Sequence, residues 1–428
     1  MKIIYVPMAA DIINSGHLNI IRKAKKYGKI VIGLFTDSAV AEYKSLPLIN
    51  YEQRLEIIKN IKGISQIIKQ ETWDFTENLK KLKPHYVIHG DDWKKGIQKN
   101  MRKKVINTLR KWNGRLIEIP YSKKPQNSKI HEQVKNMYFN TESRVSRLKR
   151  LIDSKPIVRI LESHNSLTGL IIENLKMIKS GKFLEFDGMW SSSLTDSAIR
   201  GKPDNQSVDY STRISGLNEI LDVTNKPLVF DADNGGRLEH LPYLIRGLER
   251  AGVSAVVLED KIGLKKNSLF KNQIGVKQDS IINFSKKIKK ANESKTSKDL
   301  LIIARIESLI LGKSKADAIA RAEAYSRAGA DAILIHSKLK QPSEIFNFAK
   351  TFIKSKYYKP LVAVPSTYSK TYEKDLIKNG FKIVIYANHL LRAAYPAMLN
   401  AARTILANQR SYDVEKKISS IKEVINLI

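Results

Sequence analysis

The chain has 428 residues, with 75 Lys plus Arg against 42 Asp plus Glu, a formal net charge of +33, and no cysteine. Its length fits two domains, or one large barrel with an appendage, and the lack of cysteine excludes disulfides, thiolate metal sites and a cysteine nucleophile. The lysines are spread along the chain rather than gathered in one patch, so we interpret the excess as a solvated surface that attracts anionic metabolites, not as a nucleic-acid site.

No apolar run approaches the roughly 20 residues needed to span a bilayer. Met1 leads directly into the strand-like segment KIIYV, without the pattern of a signal peptide. We therefore expect a cytoplasmic protein without a membrane partner.

The N-terminal third alternates strand and helix patterns. An apolar strand at residues 2–6 is followed by a turn and by Ile20, Ile21 and Ala24 at helical spacing. A helix at 52–61 and strands at 29–35, 86–89 and 115–119 continue the pattern. This alternation predicts a Rossmann-like parallel sheet, with ligands at the carboxyl ends of its strands.

Two polar motifs lie at such ends. Ser15-Gly16-His17 begins the first predicted helix, where backbone N–H groups can meet a phosphate. The second motif is His89-Gly90-Asp91-Asp92-Trp93, at the tip of a later strand. Lys23 and Arg54 are further candidates for phosphate contact, but they stand alone on predicted helices, and we interpret them as surface charge.

This pair of motifs resembles the cytidylyltransferases of the glycerol-3-phosphate type, whose signatures are HxGH, GDDW and an ISTTKI-like segment. The resemblance covers about residues 1–135, with GDDW at 90–93 and an altered third segment at 125–130. It implies CTP as co-substrate and these nucleotide-binding residues: Asn14, His17, Gly90, Asp91, Asp92, Trp93 and Ser128. Asn14 replaces the first histidine of HxGH, and an uncharged contact there costs about 1–2 kcal/mol, about ten- to thirtyfold in rate.

Residues 136–155 separate this domain from the rest of the chain. Val145, Leu148, Leu151 and Ile152 follow helical spacing, which predicts a linker helix ending before Pro156. This helix could pack on either domain.

Residues 156–428 repeat one unit. The predicted strands are 157–161, 183–186, 228–230, 255–258, 301–304, 332–335, 361–364 and 383–386. Eight strands alternating with helices predict a (β/α)8 barrel, whose active site lies at the carboxyl ends of the strands. Charged or titratable residues follow six of these strands: Glu162, Asp187, Asp231, Glu259, Arg305 and His336.

Asp231 and Asp233 are two residues apart, so in an extended segment both carboxylates face one side. With Glu259 they form an oxygen-rich site that suits Mg²⁺ with retained waters. The same carboxylates could instead pair with Lys261, Lys265 or Arg305. Residues 259–268 read as a charged turn and a basic loop, either a lid over an anion or an ordinary solvated loop.

Four motifs of this region, EDKIGLKKNS, DADNGG, LESHNSLTG and MWSSSLTDSAIRGKPD, resemble phosphoenolpyruvate mutases of the isocitrate lyase superfamily. The resemblance implies that Asp231 binds Mg²⁺ directly, whereas Asp233 and Glu259 hold its waters. It implies a substrate carboxylate site at Trp190, Ser192, Ser193 and Leu194, where Ser193 replaces a usual glycine. The implied catalytic residues are Asp204, Lys265, Asn267, Arg305 and His336. The superfamily's C–C lyases use a cysteine, which this chain lacks.

The combined resemblance implies a bifunctional enzyme of phosphonate biosynthesis. Its barrel would move the phosphoryl group of phosphoenolpyruvate from oxygen to carbon, and its N-terminal domain would transfer CMP to a phosphonate such as 2-hydroxyethylphosphonate. Two alternatives remain open: a phosphonopyruvate hydrolase on the same barrel, or a nucleotide-binding or assembly module at the N-terminus. Members of this family form dimers or tetramers in which subunits exchange their last helix. The resemblance therefore implies a homodimer or homotetramer, with the exchanged helix within residues 392–428.

Overall fold

A computed structural model of the chain describes residues 2–94, 96–120, 141–263, 265–268 and 273–427. These residues divide into two compact units. The first contains the N-terminal third together with residues 153–155 and 176–185, and the second contains the remainder. In the described ranges, no helix is both long and apolar enough to cross a membrane.

The N-terminal unit is built on a parallel sheet in the order β3-β2-β1-β4-β5. Its described strands are β1 (Ile3–Met8), β2 (Lys29–Phe35), β3 (Ile64–Gln70), β4 (Tyr86–Gly90) and β5 (Arg115–Ile119). Its described helices are α1 (Ser15–Ala24), α2 (Asp37–Ala41), α3 (Tyr51–Lys59), α4 (Thr76–Leu82) and α5 (Lys99–Leu109). Ile4 and Val6 pack on one face of the sheet and Tyr5 on the other, as the two-residue period of a strand requires.

The predicted Rossmann-like parallel sheet is confirmed, although strand β3 was missed. Its sequence ISQIIKQ leaves most side chains partly or fully exposed, because β3 is an edge strand. A polar edge strand lacks the continuous apolar run by which buried parallel strands are recognised.

The second unit is a closed barrel of eight parallel strands among the described residues. In ring order these are β6 (Val158–Glu162), β9 (Gly188–Ser191), β10 (Leu228–Asp231), β11 (Ala255–Glu259), β14 (Leu301–Ile306), β15 (Ala332–Ile335), β16 (Leu361–Ala363) and β17 (Phe381–Tyr386). A short hairpin of this unit pairs β12 (Lys261–Ile262) with β13 (Lys277–Gln278), and a hairpin of the first unit pairs β7 (Lys176–Lys179) with β8 (Lys182–Glu185). The predicted barrel is therefore confirmed.

Helices of this unit separate most of the barrel strands. They are α6 (Thr141–Ser154), α7 (Ser166–Asn174), α8 (Ser193–Ala198), α9 (Tyr210–Asp222), α10 (Leu241–Ala251), α11 (Ile281–Ser294), α12 (Lys315–Arg327), α13 (Ser343–Phe352), α14 (Glu373–Lys378), α15 (His389–Asn408), α16 (Tyr412–Glu415) and α17 (Ile421–Ile425). Helix α6 packs on the barrel, since the buried Arg144 donates to the carbonyl oxygens of Leu221 (2.8 Å) and Thr224 (3.0 Å).

One predicted barrel strand was wrong. Residues 183–186 overlap β8 of the hairpin, whereas the second barrel strand is β9, with the sequence GMWS. Asp187 consequently precedes a barrel strand instead of ending one, and its Oδ2 accepts the backbone N–H of Arg159 at 2.9 Å. The error arose because β9 has no β-branched residue. Residues 183–186, FLEF, are in contrast mostly apolar and aromatic, as in a short buried strand.

Candidate functional site

The predicted barrel residues converge at the carboxyl ends of the strands. Asp231 and Glu259 end neighbouring strands, and Glu259 is in register with Arg305 on the next one. His336 follows β15 directly. Because all eight strands are parallel, these side chains meet at one end of the barrel.

These residues line one cavity together with the polar segment after β9. Its lining residues are Trp190, Ser192, Ser193, Leu194, Asp204, Asp231, Lys265, Asn267, Ser268, Arg305, Leu334, His336, Val364, Ser366, Ala387 and Asn388. Ten of the twelve predicted barrel residues are among them, and Asp233 and Glu259 are not. Sequence reasoning missed five lining residues, because uncharged residues at or after strand ends form no recognisable motif. They are Leu334, Val364, Ser366, Ala387 and Asn388.

An acidic cluster lies at the centre of this site, with the ammonium of Lys265 in contact with it. Lys265 Nζ lies 3.1 Å from Asp204 Oδ1 and 3.8 Å from Asp231 Oδ2, and it contacts Asp233 Oδ1 and Ser193 Oγ directly. Burial alone would lower the pKa of Lys265, but these carboxylates outweigh it and raise the pKa above its ordinary value. The cluster is therefore built to hold a cation.

Asp231 and Asp233 come together in a different way from the one predicted. Strand β10 ends at Asp231, and Asp233 has a φ of 50° in the left-handed region, followed by two glycines with positive φ. The backbone N–H of Asp233 donates to Asp231 Oδ1 at 3.2 Å. The two carboxylates thus meet through a tight turn rather than through the alternation of an extended segment.

Ser193 adds a hydroxyl where the resemblance led us to expect glycine. Its Oγ donates to Asp231 Oδ2 at 3.0 Å. Burial opposes ionisation of Asp231, yet the charges of Lys265, Arg305 and Arg213, with this hydrogen bond, lower its pKa to about 2. Asp231 is consequently an anion at neutral pH, as a metal ligand must be.

Glu259 has the opposite behaviour. Burial raises its pKa to about 7, although Arg305 and Lys261 favour its charged form. Its Oε2 is 3.6 Å from both Lys261 Nζ and Arg305 Nη2, and it accepts no hydrogen bond from any described residue. The alternative pairing with lysine and arginine is therefore present, and it leaves one buried acceptor of Glu259 available to a ligand.

Arg305 is anchored by Glu307, a residue that the sequence did not single out. Arg305 Nε donates to Glu307 Oε1 at 2.6 Å, and Arg305 Nη2 donates to Ser268 Oγ at 2.8 Å. Glu307 is fully buried, and although burial opposes its ionisation, Arg305 holds its pKa well below the ordinary value. The spacing of Arg305 and Glu307 was a usable signal, because alternate residues of an extended segment share a face.

His336 lies beside Arg305 as a neutral side chain. Its Nδ1 lies 3.4 Å from Arg305 Nη2, an atom that can only donate, and 3.8 Å from Glu307 Oε1, so the contact with Arg305 is a hydrogen bond when the ring proton is on Nε2. Burial lowers the pKa of His336, which favours this neutral form. Nε2 is buried without a hydrogen-bond partner in the described part of the chain, and His336 lines the cavity.

The loop after β12 reaches the same cavity. Asn267 Nδ2 donates to Asp204 Oδ2 at 2.8 Å, and Lys261 Nζ donates to the carbonyl oxygen of Lys266 at 3.0 Å. The segment 265–268 is therefore packed into the site and is not an ordinary solvated loop.

Glu162, which ends β6, has a structural role. Glu162 is fully buried, contacts His164 Nδ1, and accepts the backbone N–H groups of Leu390 (2.9 Å) and Leu391 (3.3 Å) at the start of α15. Glu162 and Asp187 are absent from the lining of the cavity. Of the six strand-tip residues, these two are structural.

In the N-terminal unit, Asn14 and His17 cap helix α1 reciprocally. Asn14 Oδ1 accepts from the backbone N–H of Gly16 (3.0 Å) and His17 (3.3 Å), and His17 Nδ1 accepts from the backbone N–H of Asn14 (3.2 Å). Such a capping box satisfies N–H groups that the helix leaves unpaired. The capping also fixes the imidazole, whose Nε2 carries the proton in this arrangement.

Trp93 of the GDDW motif lies in the core. It is fully buried, its ring stacks on His89 with centroids 4.0 Å apart, and its Nε1 donates to Glu118 Oε1 at 2.8 Å. Asp91 and Asp92 lie in a short 3₁₀ turn just beyond Gly90. Trp93 thus fixes the strand tip that carries the two aspartates, while Ser128 lies outside the described residues.

The interpretation of Arg54 as surface charge was wrong. Its side chain is fully buried, and its guanidinium donates to Asp37 Oδ1 (2.7 Å) and to the carbonyl oxygen of Phe35 (2.8 Å). Its other acceptors are the carbonyl oxygens of Ala9 and Ile49. Lys23, in contrast, is exposed.

The chain matches the models of two protein families. Residues 148–406 match "Phosphoenolpyruvate phosphomutase", and residues 9–131 match "Cytidylyltransferase-like". A phosphoenolpyruvate phosphomutase of Tetrahymena pyriformis is 37% identical over 68% of this chain and 93% of its own length. A phosphonopyruvate hydrolase of Variovorax sp. is 34% identical over 65% of this chain and 93% of its own. An FAD synthase of Methanothermus fervidus is 32% identical over 30% of this chain and 92% of its own.

Solved structures give the same result. A phosphoenolpyruvate phosphomutase from Streptomyces platensis subsp. rosaceus aligns with a TM-score of 0.61 and 34% identity, covering 66% of this chain and 94% of its own. A phosphonopyruvate hydrolase in complex with oxalate and Mg²⁺ aligns with a TM-score of 0.59 and 33% identity, covering 66% and 94%.

Proposed function

Because the chain belongs to the phosphoenolpyruvate phosphomutase family, we propose that its barrel interconverts phosphoenolpyruvate and phosphonopyruvate. The observation that carries this proposal is the cavity that unites Ser192–Leu194, Asp204 and Asp231 of the acidic cluster, and Arg305 with His336. A phosphorylated carboxylic acid needs all three: donors for its carboxylate, a cation for its enolate oxygen, and a cation with further hydrogen-bond donors for its phosphoryl group.

The residues of the acidic cluster fit a magnesium ion. They already hold one cation, the ammonium of Lys265, and Glu259 Oε2 is a buried acceptor with no hydrogen bond from the described residues. The described residues contain no group of three or more His, Asp or Glu side chains that could ligate a metal together. Asp231 as the single direct ligand, with Asp233 and Glu259 holding waters, agrees with this, since Mg²⁺ retains several waters. When bound, the ion would stabilise negative charge on the pyruvate enolate.

The phosphoryl group is proposed to meet Arg305, His336 and Asn267. A loose, metaphosphate-like group carries its charge on three oxygens and needs positioning more than covalent help. Arg305 offers a fixed cation, and the neutral His336 offers its Nε2–H without adding a base that could activate water. The packed segment 265–268 would exclude water while the enolate carbon takes up the phosphoryl group.

The second candidate is hydrolysis of phosphonopyruvate, favoured by the 34% identity to the Variovorax hydrolase. Asn267 supports the mutase, because its amide approaches the cavity and is held by Asp204. A coupled assay separates the two: phosphonopyruvate with lactate dehydrogenase alone reports pyruvate from hydrolysis. Adding pyruvate kinase and ADP reports phosphoenolpyruvate, and we expect a signal only after this addition.

For the N-terminal unit we propose transfer of CMP from CTP to a phosphonate such as 2-hydroxyethylphosphonate. The match to the cytidylyltransferase-like family and the placement of His17 and the GDDW turn at adjacent strand ends support it. Nucleotide binding is proposed for Asn14, His17, Gly90, Asp91, Asp92 and Ser128, with Trp93 acting through the position of the aspartates. Release of pyrophosphate from CTP and the phosphonate tests it; CTP binding by calorimetry without pyrophosphate release would instead indicate a nucleotide-binding module. ATP as a competing nucleotide tests the relationship to the FAD synthase.

A homo-oligomer is proposed from helix α15. None of its residues is buried, and Tyr395, Met398 and Leu406 are 64%, 62% and 80% exposed. A 20-residue helix with apolar side chains in water favours a partner chain. Light scattering should give a dimer or tetramer, and Leu406→Asp should shift the mass toward the monomer.

A further inference from the structure

The hydroxyl group of Ser268 joins three charged side chains. Ser268 Oγ accepts from Lys261 Nζ at 2.7 Å and from Arg305 Nη2 at 2.8 Å, and it donates to Glu307 Oε2 at 2.6 Å. Ser268 is only 4% exposed. A hydroxyl has one proton to donate and two lone pairs, so this one uses its full capacity.

Two of the partners, Arg305 and Glu307, belong to the barrel wall, whereas Ser268 belongs to the loop. Arg305 is the second-last residue of β14 and lines the cavity, and Glu307 directly follows the strand. Lys261 lies in β12 at the start of the loop, and its ammonium also holds the carbonyl oxygen of Lys266. The segment 265–268 is therefore held at two points: Lys261 binds the carbonyl oxygen of Lys266, and Arg305 and Glu307 of the wall bind the hydroxyl of Ser268.

The same contacts determine the orientation of the Arg305 guanidinium. Glu307 accepts from its Nε, and Ser268 accepts from its Nη2. Because the guanidinium is planar and rigid, two anchors on different nitrogens fix its plane. One of these anchors is present only when the loop segment lies against the barrel.

We infer that Ser268 is a positioning residue that couples the seating of segment 265–268 to the orientation of Arg305 toward a phosphoryl group. The inference rests on the proposed function, since it assigns Ser268 to the same reaction. Lys265 and Asn267 enter the site on the same segment, so a seated loop delivers three groups at once: the ammonium, the amide and an aligned guanidinium.

The test uses the full-length chain with Mg²⁺ and three variants. Ser268→Ala removes the hydroxyl, Ser268→Thr retains it, and Ser280→Ala is the matched control. Ser280 is an exposed serine whose Oγ caps α11 by accepting from the backbone N–H of Asn283 at 3.0 Å. The readouts are kcat and KM for phosphonopyruvate and the inhibition constant of oxalate, which has no phosphoryl group and so does not depend on Arg305.

We expect Ser268→Ala to lower kcat about tenfold or more, because small misplacements of a charged group act in the transition state. KM and the oxalate constant should stay within about threefold of wild type, and Ser268→Thr should recover kcat to within about threefold. Ser280→Ala should match wild type.

Three results would overturn the inference: kcat of Ser268→Ala within about twofold of wild type, a parallel loss of oxalate inhibition, or a Ser268→Thr enzyme as slow as Ser268→Ala. The parallel loss would mean that the serine merely maintains the fold of the site. An inactive wild-type enzyme would remove the proposed function and this inference together, whereas an active wild type with an active Ser268→Ala removes only the inference.

Discussion

Lys265 Nζ lies 3.1 Å from Asp204 Oδ1, and both side chains are less than a tenth exposed. Asp233 and Asp231 approach the same ammonium, so a loop lysine contacts the carboxylates to which we assign the magnesium ion. A divalent cation and this ammonium thus share their counter-ions, and the charge balance of the site depends on both.

Replacing Lys265 should make barrel stability depend on magnesium. In EDTA, Lys265→Met leaves buried carboxylates without their cation and should lower the free energy of unfolding by about 3–5 kcal/mol. Mg²⁺ should restore much of this loss, because it supplies the missing charge. Thermal unfolding with EDTA and with Mg²⁺ measures both. Lys266→Met is the control, and an unchanged midpoint for Lys265→Met in EDTA would contradict the buried cluster.

Removing Asp231, the proposed direct metal ligand, should abolish barrel activity alone. Asp231→Ala deletes a carboxylate whose pKa of about 2 keeps it ionised, and loss of several kcal/mol of charge stabilisation corresponds to more than about a hundredfold in kcat. CTP-dependent pyrophosphate release should stay at the wild-type rate. Mutase turnover near wild type would show that the metal is bound elsewhere.

Restoring the missing histidine of the HxGH motif should lower the stability of the protein and raise the rate of CMP transfer. Asn14→His removes the cap of α1, which should cost about 1 kcal/mol of unfolding free energy. It also supplies a charge-assisted phosphate contact, which should raise CMP transfer about tenfold. Asn50→Ala, which removes the cap of α3, is the control that loses stability without the gain in rate. A slower Asn14→His enzyme would argue that Asn14 already makes the preferred contact.

Glu118, which accepts the hydrogen bond of Trp93, should make the stability of the N-terminal unit depend on pH. Hydrogen bonds from Arg102 and Trp93 lower the pKa of Glu118 to about 2. A lowered carboxyl pKa contributes stability above the unfolded value of 4.5, and this contribution disappears as the pH falls toward about 2. Calorimetry should therefore find Glu118→Gln less stable than wild type near pH 6, with a difference that shrinks below about pH 4.5. A difference independent of pH would contradict an ionised Glu118.

The sequence predicted the barrel because most of its strands are short runs of buried, mostly apolar residues. It failed at β9 and β3, where GMWS and ISQIIKQ lack such a run. In the site, Arg305 and His336 were recognisable as charge at a strand tip. Glu307 was missed although its spacing from Arg305 was a usable signal. The role of Ser268 was not recognisable, because it depends on a contact across 39 residues of chain. Arg54 was misread for a similar reason, since its acceptors are mostly backbone carbonyls, which no sequence pattern marks.

The central claim is that the barrel moves a phosphoryl group without losing it to water. The direct measurement is ³¹P NMR of phosphonopyruvate incubated with the full-length enzyme and Mg²⁺. The proposed function predicts that the phosphonate signal declines as a phosphoenolpyruvate signal appears, with the total of the two conserved. Accumulation of inorganic phosphate without phosphoenolpyruvate would contradict it and assign the barrel to phosphonopyruvate hydrolysis.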